Sequence, residues 1–211
     1  MSISDERRQY THGALDPNQL DSDPLTQFRR WLDDAIEAKL VDATSMTLAT
    51  ATLDGRPSAR VVLLKGMDEN GFVFYTDYES RKGQELSANP YAAMVFYWSK
   101  FDRQVRVEGR VEKIARDQSR VYFHSRPRDS QLAALASHQS TVIKNRVELE
   151  TRMDTMALQF KGNQVPRPEH WGGYSLIPQT IEFWQGRSNR LHDRLLFTRH
   201  NEDWQIDRLS P

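Results

Sequence analysis

The first residues that could do chemistry are cations at the ends of two apolar runs within residues 60–82. Arg60 precedes the run Val61–Leu64, and Lys65 closes it. If the second run, Phe72–Tyr75, pairs with the first as a hairpin, Arg60 returns near the end of that second run. Cations and backbone donors gathered in this way could bind one anion. Taken alone, the stretch favours a simpler interpretation, in which the cations solvate the ends of two strands.

A short helix is predicted directly after the second run. Ser80 can cap a helix that ends at Asn89-Pro90, which places Arg81 and Lys82 in its first turn. The backbone N–H groups of a first turn attract anions, whereas cations there are mildly unfavourable for the helix itself. This local cost suggests that a negative group binds at the helix start.

A second candidate cluster contains Tyr122, Arg126 and Ser130. Tyr122 and Arg126 are four residues apart and can share one helix face. Ser130 follows the break at Pro127, near the start of the next helical pattern. A tyrosine, an arginine and a serine that converge at a helix start would suit a phosphate. A polar junction between two helices is an equally good interpretation of these residues alone.

The third candidate cluster lies between Trp184 and Arg194. Arg190, His192 and Arg194 are two residues apart, so on a strand they would point to the same face. Three basic side chains on one face are unfavourable unless an anion or a carboxylate neutralises them. This spacing favours a functional role for the cluster.

Composition restricts the chemistry that these clusters can support. The chain has 211 residues, no cysteine, and equal numbers of basic and acidic residues, 29 of each. Thiolate catalysis and cysteine-based metal sites are therefore excluded. The zero net charge argues against nucleic-acid or membrane-surface partners. The histidines lack metal-ligand spacing, so no metal site is predicted.

Missing motifs narrow the function further. The chain has no Gly-x-Gly-x-x-Gly turn, Walker A loop or Gly-x-Ser-x-Gly elbow, which weakens nucleotide-loop and hydrolase interpretations. Its polar N-terminus does not resemble a signal peptide, and no apolar run is long enough to span a bilayer. We therefore expect a cytoplasmic protein whose ligand carries phosphates and a polar ring.

The elements that must position these clusters are mostly short strands with peripheral helices. Residues 1–22 are polar and predict a mobile N-terminal arm, and residues 23–211 are predicted to form a single domain. Asp23-Pro24 is typical of a helix start. Residues 103–114 alternate between apolar and polar side chains, as in a half-exposed strand, and the last quarter is typical of an antiparallel meander. The predicted fold class is α+β, mainly antiparallel β.

Several short motifs occur in a defined order along nearly the whole chain, from Arg7 to Pro211. They are Arg60–Lys65, Phe74-Tyr75-Thr76, Ser80-Arg81-Lys82, Arg103-Gln104-Val105, His124–Gln131, Trp171-Gly172-Gly173, Glu182-Phe183-Trp184-Gln185-Gly186 and Arg190–Arg194. In this order they resemble the pyridoxamine 5′-phosphate oxidase family, flavoproteins that make pyridoxal 5′-phosphate. Each motif alone is weak, but the ordered set is specific.

The resemblance implies an FMN-binding split β-barrel with peripheral helices, which forms a homodimer with FMN at the subunit interface. The strand Arg60–Lys65 would run along the flavin, and some contacts would come from the second subunit. The residues implied to bind FMN are Arg60, Val61, Val62, Leu63, Leu64, Lys65, Tyr75, Thr76, Arg81, Lys82, Gln104, Gln139, Ser140, Trp184 and Arg194.

The resemblance also implies a phosphate site for the substrate. The residues implied to bind substrate are Arg7, Arg8, Gln9, Tyr10, Lys65, Tyr122, Arg126, Ser130, Arg190, Leu191 and His192. Arg190 and His192 would lie over the pyridine ring as the catalytic residues. The arm that contains Arg7 and Tyr10 resembles a substrate-covering segment.

The implied reaction is oxidation of pyridoxamine or pyridoxine 5′-phosphate at C4′ by dioxygen, through FMN, to pyridoxal 5′-phosphate and hydrogen peroxide. The amine substrate would also release ammonia. One alternative is a split-barrel flavoprotein that oxidises another substrate, although the second phosphate cluster argues against it. Another is a non-catalytic barrel that binds nucleic acid by stacking, which the zero net charge disfavours.

Overall fold

The computed structural model describes residues 2–5 and 8–211, and these residues form one nine-stranded antiparallel sheet flanked by five α-helices. The strands are β1 (Ser45–Ala51), β2 (Pro57–Leu63), β3 (Gly66–Asp68), β4 (Gly71–Asp77), β5 (Tyr91–Trp98), β6 (Arg103–Lys113), β7 (Trp171–Gln185), β8 (Asp193–His200) and β9 (Asp203–Arg208). The helices are α1 (Pro24–Glu37), α2 (Arg81–Ala88), α3 (Arg116–Ser125), α4 (Arg128–Ala136) and α5 (Arg146–Gln159). The predicted α+β class, mainly antiparallel β, is confirmed.

The sheet branches at its longest strand. Its main order is β2-β1-β5-β6-β7-β4-β3, and β8 and β9 extend from β7. The first half of β7 pairs with β4 and its second half pairs with β8. The last three strands form the antiparallel meander that the sequence predicts, and β6 carries the predicted alternation of buried and exposed side chains.

The two apolar runs within residues 60–82 do not pair with each other, so the predicted hairpin is wrong. Strand β2 pairs instead with β1 over seven residue pairs, from Ser45↔Leu63 to Ala51↔Pro57. The turn at Asp54-Gly55, where Gly55 has a φ of 85°, makes this longer ladder possible. The short strand β3 occupies the position beside β4 that β2 would have taken.

Aromatic side chains hold the main core together. Asp23 caps α1 by accepting hydrogen bonds from the N–H groups of Leu25 and Thr26, as predicted. The helix then buries Phe28 completely, with its ring centroid 4.9 Å from that of Phe72 on β4 and 4.8 Å from that of Phe96 on β5. Full burial of such a side chain stabilises the fold by about 2–3 kcal/mol. The helix thereby fixes the positions of β4 and β5.

A second, smaller core lies under the helices that follow β6. It contains Phe123, Leu132, Val165 and Trp171. Helix α5 packs against it through methionine side chains, whereas its Val147 and Leu158 side chains are 65% and 74% exposed. Among the helices of the described residues, none combines the length and the apolar character needed to cross a membrane.

Candidate functional site

Strands β2 and β4 do not pair with each other, and a cavity of about 510 Å³ lies between them. Helix α2 and the junction of α3 with α4 border the same cavity. It brings together most of the side chains of the first two predicted clusters. Its lining residues are Arg60, Val61, Val62, Leu63, Lys65, Tyr75, Thr76, Asp77, Lys82, Tyr122, Arg126, Ala133, Ala134, Ser137, Gln139 and Trp171.

One part of the cavity is built around the buried ammonium group of Lys82. Its Nζ donates to Gln139 Oε1 at 2.6 Å, to Thr76 Oγ1 at 3.0 Å and to Ser80 Oγ at 3.3 Å. Ser80 caps α2, as predicted, by accepting a hydrogen bond from the N–H group of Gly83. The ammonium group therefore lies at a helix start, where the backbone already favours a negative charge.

The charge state of Lys82 depends on its neighbours. Burial, together with the positive charge of Arg60, lowers the pKa of Lys82 to about 8, while Asp77 and Glu85 act in the opposite direction. Desolvation and a nearby like charge both disfavour the ammonium form. A bound anion would reverse this effect, because it would neutralise both cations.

A stack of aromatic rings forms another wall of the cavity. The rings of Tyr75 and Tyr122 lie with centroids 3.8 Å apart at an angle of 17°, and Trp171 continues the stack 5.5 Å from Tyr75. The guanidinium group of Arg126 lies over the Trp171 ring at 4.6 Å. Its Nη1 atom is buried and has no hydrogen-bond partner among the described residues, and burial lowers the pKa of Arg126. A buried guanidinium with an unsatisfied donor is suited to an anionic ligand.

The Arg60 side chain is held on β2 by several acceptors. Nη1 donates to Thr50 Oγ1 at 2.6 Å and to the carbonyl of Leu48 at 3.2 Å. Nη2 contacts Ser58 Oγ and lies 3.5 Å from Glu85 Oε2. Arg60 therefore lines the cavity with its guanidinium group already fixed by the protein.

The third predicted cluster lies outside this cavity. Gln104 on β6 is opposite Trp184 on β7, and Trp184 is opposite Arg194 on β8. The His192 ring centroid is 4.8 Å from that of Trp184, and His192 Nδ1 accepts a hydrogen bond from the N–H group of Arg187. These residues form a second surface, which we call the Trp184 surface.

The predicted common face of Arg190, His192 and Arg194 is wrong, because the strand starts later than expected. Arg190 ends a 3-10 turn in which it and Asn189 both have positive φ angles, and β8 begins only at Asp193. Arg190 is exposed, whereas Arg194 donates to both carboxylate oxygens of Glu182 at 2.8 and 3.1 Å. The positive charge of Arg194 is therefore neutralised by the carboxylate of Glu182, without a bound ligand.

The N-terminal arm packs against the Trp184 surface. The Tyr10 ring lies edge-on to Trp184 and to His192, with centroid distances of 5.5 and 5.3 Å. Arg8 and His12 both pair with the carboxylate of Asp102, which is fully buried. Gly186 is required here, because a Cβ atom at that position would lie 2.7 Å from the Tyr10 ring.

The remaining predicted site residues lie in several places. Leu64 is buried in the core, and Gln9 is exposed on the arm. Arg81 has an exposed side chain, and its N–H group donates to Ser140 Oγ at 3.2 Å. Ser130 lines a neighbouring groove between α4 and α5. Leu191 is exposed beside the Trp184 surface, and Arg7 lies outside the described residues.

Within the described part of the chain, no cluster of three or more histidine, aspartate or glutamate side chains could hold a metal ion.

Two protein-family models match the chain over nearly its whole length. The first, described as pyridoxamine 5′-phosphate oxidase, matches residues 32–160, which is more than half of the chain. The second, described as the pyridoxine 5′-phosphate oxidase C-terminal dimerisation region, matches residues 171–211. The chain belongs to the pyridoxamine 5′-phosphate oxidase family.

Curated relatives support the same assignment. A pyridoxine/pyridoxamine 5′-phosphate oxidase of Paraburkholderia phytofirmans is 56% identical over 212 residues, covering 100% of this chain and 99% of the relative. A protein of the same name from Trichormus variabilis is 54% identical with the same coverage. This member of the pyridoxamine 5′-phosphate oxidase family is therefore an oxidoreductase.

Solved structures confirm the predicted split-barrel fold. The crystal structure of PhzG from Burkholderia lata 383, in complex with tetrahydrophenazine-1-carboxylic acid, has a TM-score of 0.88 at 33% identity. It covers 94% of this chain and 98% of PhzG. A pyridoxamine 5′-phosphate oxidase-related, FMN binding protein from Nostoc punctiforme covers 87% of this chain with a TM-score of 0.70 at 19% identity, which supports the fold alone.

The two family matches of this pyridoxamine 5′-phosphate oxidase family member fall mainly on different surfaces. Every cavity-lining residue except Trp171 lies within residues 32–160. On the Trp184 surface, Gln104 also lies within residues 32–160, whereas Trp184 and residues 187–194 lie within the match to the dimerisation region.

Sequence reasoning missed several residues that support the site. Glu85 could have been found, because it lies four residues after Arg81 on a predicted helix and this spacing is typical of an ion pair. Glu182 could have been found only from the pairing of β7 with β8. No sequence signal marks Asp102, whose role depends on a left-handed backbone conformation at the start of β6.

We expect the substitution Asp102→Asn to release the N-terminal arm. Asparagine tolerates the left-handed conformation of residue 102 and keeps the side-chain volume, but it removes the charge that Arg8 and His12 share. Amide hydrogen exchange of residues 8–15 should accelerate by roughly 10-fold or more, because a buried, charge-assisted contact is lost.

Hydrogen exchange followed by mass spectrometry would measure this effect. Asp117→Asn is a matched control, because Asp117 is an exposed carboxylate that pairs only with Arg120 on its own helix in the described contacts. Unchanged exchange of the arm in Asp102→Asn would show that its other contacts, such as the packing of Tyr10 and the hydrogen bond from Arg187 to the Gly13 carbonyl, are sufficient to hold it.

Proposed function

We propose that this chain is an FMN-dependent oxidase that converts pyridoxamine and pyridoxine 5′-phosphate to pyridoxal 5′-phosphate, with dioxygen as the electron acceptor. The observation that carries the proposal is one cavity with two different anion-binding groups. Lys82 at the start of α2 is the first, and Arg126 on the aromatic stack is the second. A flavin mononucleotide and a phosphorylated substrate present two phosphates, which these groups would neutralise.

The residues around Lys82 fit a flavin phosphate. Lys82, Arg60 and Arg81 would supply positive charge, and Thr76 would supply a hydroxyl group. Strand β2 has no strand partner on its outer side among the described residues, so its backbone groups are available to the polar edge of a ring system. When bound, FMN would supply the redox chemistry, which is a two-electron oxidation of the substrate C4′ carbon with dioxygen as the final electron acceptor.

The residues around Arg126 fit the substrate phosphate. A phosphate oxygen would satisfy the buried Nη1 atom of Arg126, and the Tyr122 hydroxyl group would be a second donor. Lys65 lines the same cavity and would bridge the two ligands, and Ser130 would approach from the adjoining groove. Holding the substrate by its phosphate would orient C4′, which is how positioning lowers a reaction barrier.

We propose that a second copy of the chain completes the site. The Trp184 surface lies outside the cavity of its own chain, and apart from Gln104 its residues belong to the part of the sequence that matches a dimerisation region. In a homodimer it would face the cavity of the other subunit. Gln104, Trp184 and Arg194 would then complete the FMN site, and Ser140, which accepts a hydrogen bond from the N–H group of Arg81, would contribute from the α2 side.

In this arrangement the exposed Arg190 would reach the pyridine ring of the substrate and stabilise negative charge on it. His192 uses Nδ1 to accept the N–H group of Arg187, which leaves Nε2 to hold or release a proton beside the substrate. Leu191 would contribute apolar contact, and the docked arm would cover the outer side through Tyr10.

The proposal is tested by the colour and the chemistry of the purified protein. It should show the visible absorbance of a flavin or acquire it when FMN is added. It should then consume dioxygen with pyridoxamine 5′-phosphate and form pyridoxal 5′-phosphate and hydrogen peroxide in equal amounts. A colourless protein that does not bind added FMN would overturn the proposal.

A second candidate function is oxidation of a different reduced ring compound. It is favoured by the structural similarity to PhzG, whose crystal structure contains a tetrahydrophenazine carboxylic acid. The unpartnered Arg126 Nη1 atom argues instead for a phosphorylated substrate. Activity on non-phosphorylated reduced rings, together with inactivity on pyridoxamine 5′-phosphate, would favour this second candidate.

We expect the affinity for FMN to fall as the pH rises above 8. The pKa of Lys82 is about 8 before the anion binds, and a phosphate beside it would raise that value, so binding takes up a proton in this range. The phosphate itself loses its second proton near pH 6 and stays dianionic. The dissociation constant should therefore rise by up to about 10-fold per pH unit above 8.

Fluorescence titration with FMN between pH 7 and 9.5 would measure this dependence. Lys82→Arg keeps a positive charge throughout this range and should flatten the profile. An identical slope in the two proteins would mean that another group takes up the proton. In the free protein, the buried charge of Lys82 lowers the free energy of unfolding below pH 8. This destabilisation is relieved as the pH rises from about 8 towards the ordinary lysine pKa of 10.5.

A further inference from the structure

Glu85 is a buried carboxylate that lies behind the proposed flavin phosphate site. It belongs to α2 and is only 5% exposed. Its Oε2 atom accepts hydrogen bonds from the hydroxyl groups of Thr50 and Ser58 and lies 3.5 Å from Arg60 Nη2. Its Oε1 atom accepts from Arg81 Nε at 2.9 Å. One carboxylate thus joins α2 to both β1 and β2.

The environment of this carboxylate keeps it ionised. Although burial acts to raise its pKa, the hydrogen bonds from Ser58, Thr50 and Arg81 outweigh that effect and lower the pKa of Glu85 to about 2. A buried charge is tolerated only when such donors surround it. Both cations that it contacts belong to the proposed FMN-binding set, but Glu85 itself does not line the cavity.

We propose that Glu85 is a positioning residue that fixes Arg60 and Arg81 for the phosphate of FMN. This inference rests on the proposed function. Arg60 and Lys82 both line the cavity and lie close enough for their charges to interact, and Arg81 adds a third cation beside Lys82 in the first turn of α2, outside the cavity lining. Glu85 offsets their repulsion and holds the two arginine side chains before the ligand arrives, which removes the entropy loss of ordering them on binding.

The proposal predicts a selective effect on the phosphate group of the ligand. Glu85→Ala should weaken FMN binding by about 5-fold to 100-fold, which corresponds to immobilising two arginine side chains on binding. Riboflavin is the same ring system and ribityl chain without the phosphate. Its affinity should change by less than about 2-fold, because the two guanidinium groups that Glu85 holds would bind the phosphate, whereas the ring system would lie along the backbone of β2.

The experiment is titration of the cofactor-free full-length protein with FMN and with riboflavin, for the wild type and for three variants. Glu85→Gln keeps the side-chain volume and can still bond Thr50 and Ser58, so it should fold and show a smaller loss in the same direction. Glu79→Gln is the matched control, because it removes an exposed carboxylate just before the same helix and should leave both affinities unchanged.

Three results would overturn the inference while leaving the proposed function intact. They are equal losses of FMN and riboflavin affinity, no loss of either affinity in both Glu85 variants, or tighter FMN binding in Glu85→Gln. The last result would mean that Glu85 competes with the phosphate for the arginines. A wild-type protein that binds neither ligand would instead overturn the proposed function itself.

Discussion

The substitution Arg126→Met should raise the KM for pyridoxamine 5′-phosphate by at least about 30-fold, since it removes one partner of a desolvated charge pair. Methionine keeps an apolar side chain over the Trp171 ring and so preserves most of the packing. The kcat value should change much less, because in the proposed site the guanidinium group would contact the phosphate rather than the reacting carbon. Steady-state kinetics with the phosphorylated and the unphosphorylated amine would measure both effects.

Unphosphorylated pyridoxamine provides the internal comparison for this prediction. Its kcat/KM should be nearly the same in Arg126→Met and in the wild type, so the preference for the phosphorylated substrate should collapse. Arg120→Met is the matched control, because Arg120 is exposed on α3 and pairs with Asp117. A full preference for the phosphate in Arg126→Met would place the phosphate elsewhere in the cavity.

A heterodimer of Arg126→Met and Arg190→Ala subunits should recover about half of the wild-type kcat/KM, although each variant alone should lose about 30-fold or more. If each site combines the cavity of one subunit with the Trp184 surface of the other, one site of the heterodimer carries both substitutions and the other carries neither. Co-expression with two different affinity tags would isolate this heterodimer for assay.

A second heterodimer tests whether activity is regained merely by combining two defective subunits. Arg126 and Lys82 both line the cavity of one chain, so an Arg126→Met and Lys82→Met heterodimer has one defect in each site. It should show no recovery. Recovery in this control, or its absence in the Arg126 and Arg190 pair, would mean that the site is not shared between subunits in the proposed way.

The sequence was sufficient to predict most elements of this fold, but not how the central strands pair. The caps of α1 and α2 and the alternation of β6 are local signals, and all three are confirmed. The partner of β2 is a non-local property. The chain does reverse at Asn70-Gly71, but this turn joins β4 to the short strand β3 rather than to β2. Strand β2 instead forms seven residue pairs with β1, compared with three between β3 and β4.

The candidate site shows the same division between local and non-local information. Residue types and helical spacing were enough to group Tyr122 with Arg126, and the structure places both in one cavity. The orientation of Arg190 could not be predicted, because it depends on two consecutive positive φ angles in a 3-10 turn. Glu182, which neutralises Arg194, comes from a neighbouring strand and has no fixed sequence distance from it.

Strand β2 would give the proposed flavin a role in stabilising the protein as well as in catalysis. Its outer edge faces the cavity and has no strand partner in the described part of the chain, and its Val61 and Leu63 side chains are 67% and 40% exposed. An open, partly apolar edge strand is a template for pairing with other chains, which leads to aggregation. A ring system lying along β2 would cover that edge. A shortage of flavin would therefore reduce the amount of correctly folded protein as well as its turnover.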